Sequence, residues 1–100
     1  MLRLMIVDDE QIIREALSSM IDYTSLGYEV IATAKNGMEA YDRIRDDYPD
    51  VVITDIKMPI LNGLELIERA SRIDSRITFI LLSGYGEFEY AKQAMKYGVR

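Results

Sequence analysis

The stretch Val51-Val52-Ile53-Thr54-Asp55-Ile56-Lys57-Met58-Pro59 decides the fold. Four β-favouring residues run straight into an acid, and Pro59 then blocks any continuation of regular structure. A short, nearly unbroken apolar run of this kind reads as a strand covered on both faces, as in a parallel sheet. Its last residue, Asp55, falls where such a strand leaves the core. In open α/β sheets, ligands sit just outside the carboxyl ends of the strands.

Working outward, Leu2 to Val7 is apolar except for Arg3 and is stopped by Asp8-Asp9-Glu10, a first buried strand with acids at its carboxyl end. Ile12, Ile13, Ala16, Leu17, Met20 and Ile21 recur at helical spacing. Asp8 or Asp9 is expected to cap that helix, and Glu10 suits its positive N-terminus. Asp22 to Gly27 is a connector rich in turn formers, and Tyr28 to Ala34 a second strand closed by Asn36-Gly37. Met38, Ala40, Tyr41 and Ile44 mark a second helix, ended by Asp46-Asp47 and Pro49. After the opening stretch, Asn62-Gly63 leads into a third helix with Leu64, Leu66, Ile67 and Ala70 inward. Ile77 to Leu82 is a fourth strand ended by Ser83-Gly84. Phe88, Ala91, Ala94 and Met95 mark a fourth helix, with Gly98 as its stop. The order βαβαβαβα predicts an α/β, doubly wound parallel sheet with helices on both faces and right-handed crossovers.

One hundred residues are enough for a single core. Twelve basic against seventeen acidic residues leave a net charge of −5, which argues against direct nucleic-acid contact, because phosphate neutralisation needs clustered Lys and Arg. The chain has no Cys and no His, so any metal must be held by oxygen, which favours Mg²⁺, Ca²⁺ or Mn²⁺. The Leu2 to Val7 run is too short to span a membrane and lacks the layout of a signal peptide. A soluble, cytoplasmic domain is expected.

Taken singly, the acids have plain explanations as helix caps and turn formers. Taken together they say more. If strands one, three and four are neighbours, Asp8, Asp9, Asp55 and the Ser83 hydroxyl converge at one end of the sheet. Three such carboxylates repel one another unless a cation sits between them. Mg²⁺ with retained waters suits a phosphate-handling site, where it lets a carboxylate act as nucleophile toward an anionic donor. Ser83 could hydrogen-bond a phosphoryl oxygen, with Gly84 leaving room beside it.

Val7-Asp8-Asp9-Glu10, Thr54-Asp55-Ile56-Lys57-Met58-Pro59, Asn62-Gly63 and Ser83-Gly84 together resemble the receiver domains of bacterial two-component response regulators, in order and spacing along the whole chain. The resemblance implies a flavodoxin-like fold. It implies that Asp55 is the phospho-accepting aspartate, served by a sensor histidine kinase, and that Mg²⁺ (or Mn²⁺) is held by Asp9, Asp55 and the Lys57 backbone carbonyl, with Asp8 acting through water. Ser83 resembles the hydroxyl residue that turns toward the phosphoryl group. The chain then accepts a phosphoryl group and loses it slowly by autodephosphorylation, without being an enzyme acting on other substrates. The phrases Asp22 to Tyr28 and Ser83 to Ala91 look most like receivers joined to an AraC-type DNA-binding domain.

The family's fifth strand with its Lys, the Pro after it and the fifth helix have no counterpart before Arg100. The resemblance therefore implies strand order 2-1-3-4 and a domain incomplete at its C-terminus. Strand four becomes an exposed edge with uncovered Ile and Phe side chains, favouring a homodimer or domain-swapped self-association. Phosphorylation by a small donor is expected to be slow or absent in these residues, while Mg²⁺ binding survives. Two other readings compete. One is a phosphorylation-independent interaction module. The other is an aspartate-nucleophile phosphohydrolase, which wants an Asp where this chain has Lys57. A flavin or nucleotide binder is weaker still, because no Gly-rich phosphate loop follows any strand. Tyr85, Phe88, Tyr90 and Tyr97 are candidates for an output surface on the fourth helix.

Overall fold

The computed structural model describes residues 1–74 and 76–82. Four parallel strands, β1 (Leu2–Val7), β2 (Tyr28–Ala34), β3 (Val51–Asp55) and β4 (Thr78–Leu82), lie side by side in the order β2-β1-β3-β4. Three helices connect them: α1 (Gln11–Ser19), α2 (Gly37–Asp47) and α3 (Gly63–Ile73). The expected α/β doubly wound sheet in order 2-1-3-4 is therefore the observed one. The fourth helix and the aromatic surface expected on it lie outside the described residues.

Strand alternation divides the core between two faces. Met5, Val7, Val52 and Phe79 point to one side and meet Ala40 and Ile44 of α2 and Leu66, Ile67 and Ala70 of α3. Leu4, Ile6, Val51 and Ile53 point to the other, where Tyr23 and the half-buried Leu17 of α1 cover them. Burying side chains of the size of Ile44 or Leu66 contributes about 1.5–3 kcal/mol each, and both are wholly enclosed. Asp50 ties the start of the sheet together. Its Oδ2 accepts the Arg3 N–H at 2.8 Å, and its carbonyl accepts the Thr78 N–H at 3.0 Å.

Helices α2 and α3 start as their sequences dictate. Asn36 accepts the Glu39 N–H at 2.8 Å, and Asn62 accepts the Glu65 N–H at 2.9 Å while Glu65 reaches back to the Asn62 N–H at 3.1 Å. The second is a complete capping box. Helix α2 ends at Tyr48, which turns left-handed at φ 49° ahead of Pro49. No helix among the described residues is long and apolar enough to cross a membrane.

Two local expectations are corrected. Neither Asp8 nor Asp9 caps α1: the N-cap is Glu10, with no side-chain cap bond, and the Asp8 carboxylate accepts the Glu10 N–H, one residue short of the helix. Phe79 is not uncovered at the β4 edge. It is 1% exposed, since alternation turns it into the core under α2 and α3, while Ile80 on the other face is half-buried. Helix α1 also buries less than its spacing suggests, with Ile12 82% and Met20 81% exposed and only Ala16, Leu17 and their neighbours partly covered.

Candidate functional site

The register of the sheet brings the acids together. Val7 of β1 is paired with Thr54 of β3, so the next residues, Asp8 and Asp55, leave the sheet abreast. Asp8 is 2% exposed, and a carboxylate so enclosed needs partners. Its Oδ1 accepts the Glu10 N–H at 2.9 Å, its own N–H donates to the Ala34 carbonyl at 3.1 Å, and its carbonyl accepts from Arg14 Nη1 at 2.8 Å. Asp9 is exposed beside it. The half-buried Asp55 accepts the Ile56 N–H on Oδ1 at 2.8 Å, and its carbonyl takes the hydroxyl of the fully buried Thr54 at 2.9 Å. One carboxylate oxygen from each of Asp8, Asp9 and Asp55 lies within 4.8 Å of the others.

The loop after β3 forms the remaining wall. Asp9, Lys57, Met58, Pro59 and Asn62 line an open depression. Ile56 and Leu61 are buried at either end of the loop, and Gly63 N–H closes its neck onto the Ile56 carbonyl at 2.7 Å. Within it, Leu61 N–H bonds to the Pro59 carbonyl at 2.8 Å across Ile60, whose φ is +73°. That is a γ-turn of the strained hand, occupied by a β-branched residue 78% exposed. Such strain persists only where the surroundings over-determine the backbone.

Oxygen donors of this kind fit a small, hard divalent cation. Mg²⁺ holds ligands at about 2.0–2.1 Å, so two direct ligands are at most about 4.2 Å apart. Carboxylate oxygens within 4.8 Å of one another are close enough to share one such ion. The ion pairs Arg43–Asp47, Arg72–Glu68 and Arg76–Asp74 belong to other parts of the surface. Of the residues singled out in the sequence, Asp8, Asp9 and Asp55 come together, and Lys57 lines the same depression as Asp9. Ser83 lies outside the described residues. Three contributors had no distinct sequence signal: Arg14 on the Asp8 carbonyl, the Thr54 hydroxyl, and the γ-turn at Ile60.

The family model for the response regulator receiver domain matches residues 4–100. The chain belongs to this family. It is 50% identical over 100 residues to the uncharacterized transcriptional regulatory protein YesN of Bacillus subtilis (strain 168), covering all of this chain and 27% of that one. The REC domain of AraT, a response regulator from Geobacillus stearothermophilus, superposes with a TM-score of 0.92 at 37% identity, over 98% of this chain and 76% of that one. A two component transcriptional regulator AraC from Clostridium phytofermentans ISDg gives 0.89 at 34% identity, over 96% and 74%. The receiver thus spans about a quarter of the curated regulator and three quarters of these solved chains. The resemblance to receivers of AraC-type regulators, read from the sequence, agrees with these neighbours.

Proposed function

We propose that the chain is the phospho-accepting domain of a two-component transcriptional regulator, phosphorylated on Asp55 by a partner histidine kinase in the presence of Mg²⁺. The observation that carries this reading is the convergence of three carboxylates within 4.8 Å at the carboxyl end of a receiver sheet.

Asp9, Asp55 and the Lys57 carbonyl would hold the ion directly and Asp8 through water. When bound, Mg²⁺ supplies charge neutralisation, so that an anionic donor can approach the acids. The protein's part is positioning. Asp8 is fixed by its three hydrogen bonds, and the Ile56 N–H orients the Asp55 carboxylate from behind. An Asp55 oxygen attacks the phosphorus of a phosphohistidine, forming a P–O bond as the P–N bond breaks, and the leaving imidazole takes up a proton. The new charge at the end of β3 then biases the segment that begins at Ser83, whose hydroxyl meets the phosphoryl oxygens, and through it an attached DNA-binding domain. Slow autodephosphorylation resets the switch. This reading places the domain in the cytoplasm, where the kinase's phosphohistidine is presented.

The test is the intact mass of the regulator after incubation with Mg²⁺ and phosphoramidate, a small P–N donor. A gain of one phosphoryl group that requires Mg²⁺ and is lost in Asp55→Asn supports the reading. No gain in folded protein, or an equal gain in Asp55→Asn, overturns it.

A further inference from the structure

The same pattern, Asn-Gly, an apolar residue and Glu, opens two neighbouring helices: Asn36-Gly37-Met38-Glu39 at α2 and Asn62-Gly63-Leu64-Glu65 at α3. A capping Asn has no need of a glycine after it, and neither Gly37 nor Gly63 has a positive φ. The cause lies in space. A Cβ on Gly63 would collide with the Asp55 carbonyl oxygen and lie 3.0 Å from Ile56 Cα. A Cβ on Gly37 would collide with the Leu61 carbonyl oxygen and lie 2.7 Å from Leu61 Cβ and 2.8 Å from its carbonyl carbon. These are backbone atoms or atoms fixed to the backbone, so no side chain can swing aside to make room.

Both glycines therefore grip the loop that joins Asp55 to α3, Gly63 at its start and Gly37 at its end. That loop behaves as a closed bracket. Its neck is tied by Gly63 N–H to the Ile56 carbonyl at 2.7 Å, and Met58 and Leu61 anchor it in the core. Its strained turn at Ile60 shows that it is held against its own preference. Lys57 stands between the buried Ile56 and Met58.

We propose that Gly37, on a helix that contributes no ligand, is a positioning residue for the metal: by carrying no side chain it lets α2 press on Leu61 and so fixes the Lys57 carbonyl at the ion. The proposal rests on the Mg²⁺ reading given above. Leu61 is 2% exposed and cannot yield inward, so a methyl group at Gly37 displaces the bracket as a unit. A hard ion that demands near-octahedral geometry is sensitive to carbonyl shifts of about 0.5 Å.

The experiment measures Mg²⁺ affinity by calorimetry alongside thermal unfolding in chelator, for the wild-type protein, Gly37→Ala and Ile44→Val. Ile44 is a buried residue of the same helix, so Ile44→Val weakens packing while leaving the Gly37–Leu61 approach as it is. Gly37→Ala should weaken Mg²⁺ binding about tenfold or more, as changes just behind metal ligands do. Ile44→Val should bind Mg²⁺ as the wild type does. Should Gly37→Ala fail to fold, Leu61→Ala is compared with Leu66→Ala, a buried residue within α3 rather than in the loop. Only Leu61→Ala should lose affinity. Affinity within twofold of wild type in folded Gly37→Ala, or equal loss in the control of either pair, overturns the proposal. A wild-type protein that binds no Mg²⁺ overturns the functional reading itself, a result distinct from both.

Discussion

Replacing Asp9 by Asn should stabilise the metal-free protein and abolish the stabilisation that Mg²⁺ confers. The Asp9 carboxylate faces two others, with the oxygens of all three within 4.8 Å. Two unit charges at that separation repel by about 0.9 kcal/mol in bulk water and about 3.5 kcal/mol at an effective dielectric constant of about 20. Asp9 is exposed, so the value toward the water limit applies to each of its two neighbours, and salt screens it further. Loss of a negative charge near the N-terminus of α1 gives back about 0.3–1 kcal/mol. The net expectation is a gain of about 1 kcal/mol in chelator at low salt, or about 4–8 °C in Tm for a domain of this size. Mg²⁺ reverses the order. At a hundredfold excess over its dissociation constant it adds about 2.7 kcal/mol to a protein that binds it only when folded. The wild type should gain this and Asp9→Asn should not. Thermal unfolding with and without Mg²⁺ is the assay. If Asp9→Asn is the less stable protein in chelator, or if Mg²⁺ stabilises both alike, the carboxylates are not the strained, cation-seeking cluster argued here.

Phe79→Ala should cost about 3–5 kcal/mol in urea unfolding, because the ring is enclosed by α2 and α3, and Ile80→Ala on the half-buried face about half as much. Equal costs would refute the assignment of Phe79 to the inner core. Side-chain and then backbone hydrogen bonds from Arg76 hold the Asp74 carboxyl below its ordinary pKa, so the pair's stabilising contribution is present above the unfolded-state pKa and is lost as pH falls through the lower folded one. In Arg76→Gln, the Asp74 titration followed by NMR should move upward toward the ordinary value, and an unmoved midpoint would refute the coupling.

How far the sequence could be read depended on whether a residue's role was local. The unbroken apolar run before Asp55 announced a strand buried on both faces, and Val51 to Thr54 are all buried. The inner stripe of Leu66, Ile67 and Ala70 was legible for the same reason: helical period is fixed within a turn or two, whereas Asn36-Gly37 reads as a strand's end and the structure makes Asn36 the cap of α2. Proximity among Asp8, Asp9 and Asp55 was not local. It depends on β1 lying next to β3, an adjacency that the alternation of strands and helices leaves open and that the family resemblance supplied. Asp8 looked like a helix cap because its role in the turn to Glu10 depends on its burial, which spacing does not report. Ile60 gave no warning, since a β-branched residue is the last expected at positive φ. Gly37 read as an ordinary Asn-Gly turn, although its reason is the backbone of Leu61 pressed against it.

The most direct test of the central claim identifies the modified residue. The regulator is phosphorylated in Mg²⁺, reduced with borohydride, which converts an aspartyl phosphate to homoserine, and mapped by peptide mass spectrometry. The account predicts homoserine at position 55 and at neither Asp8 nor Asp9. Reduction product at either of those two, or at any other acid with Asp55 intact, would contradict it.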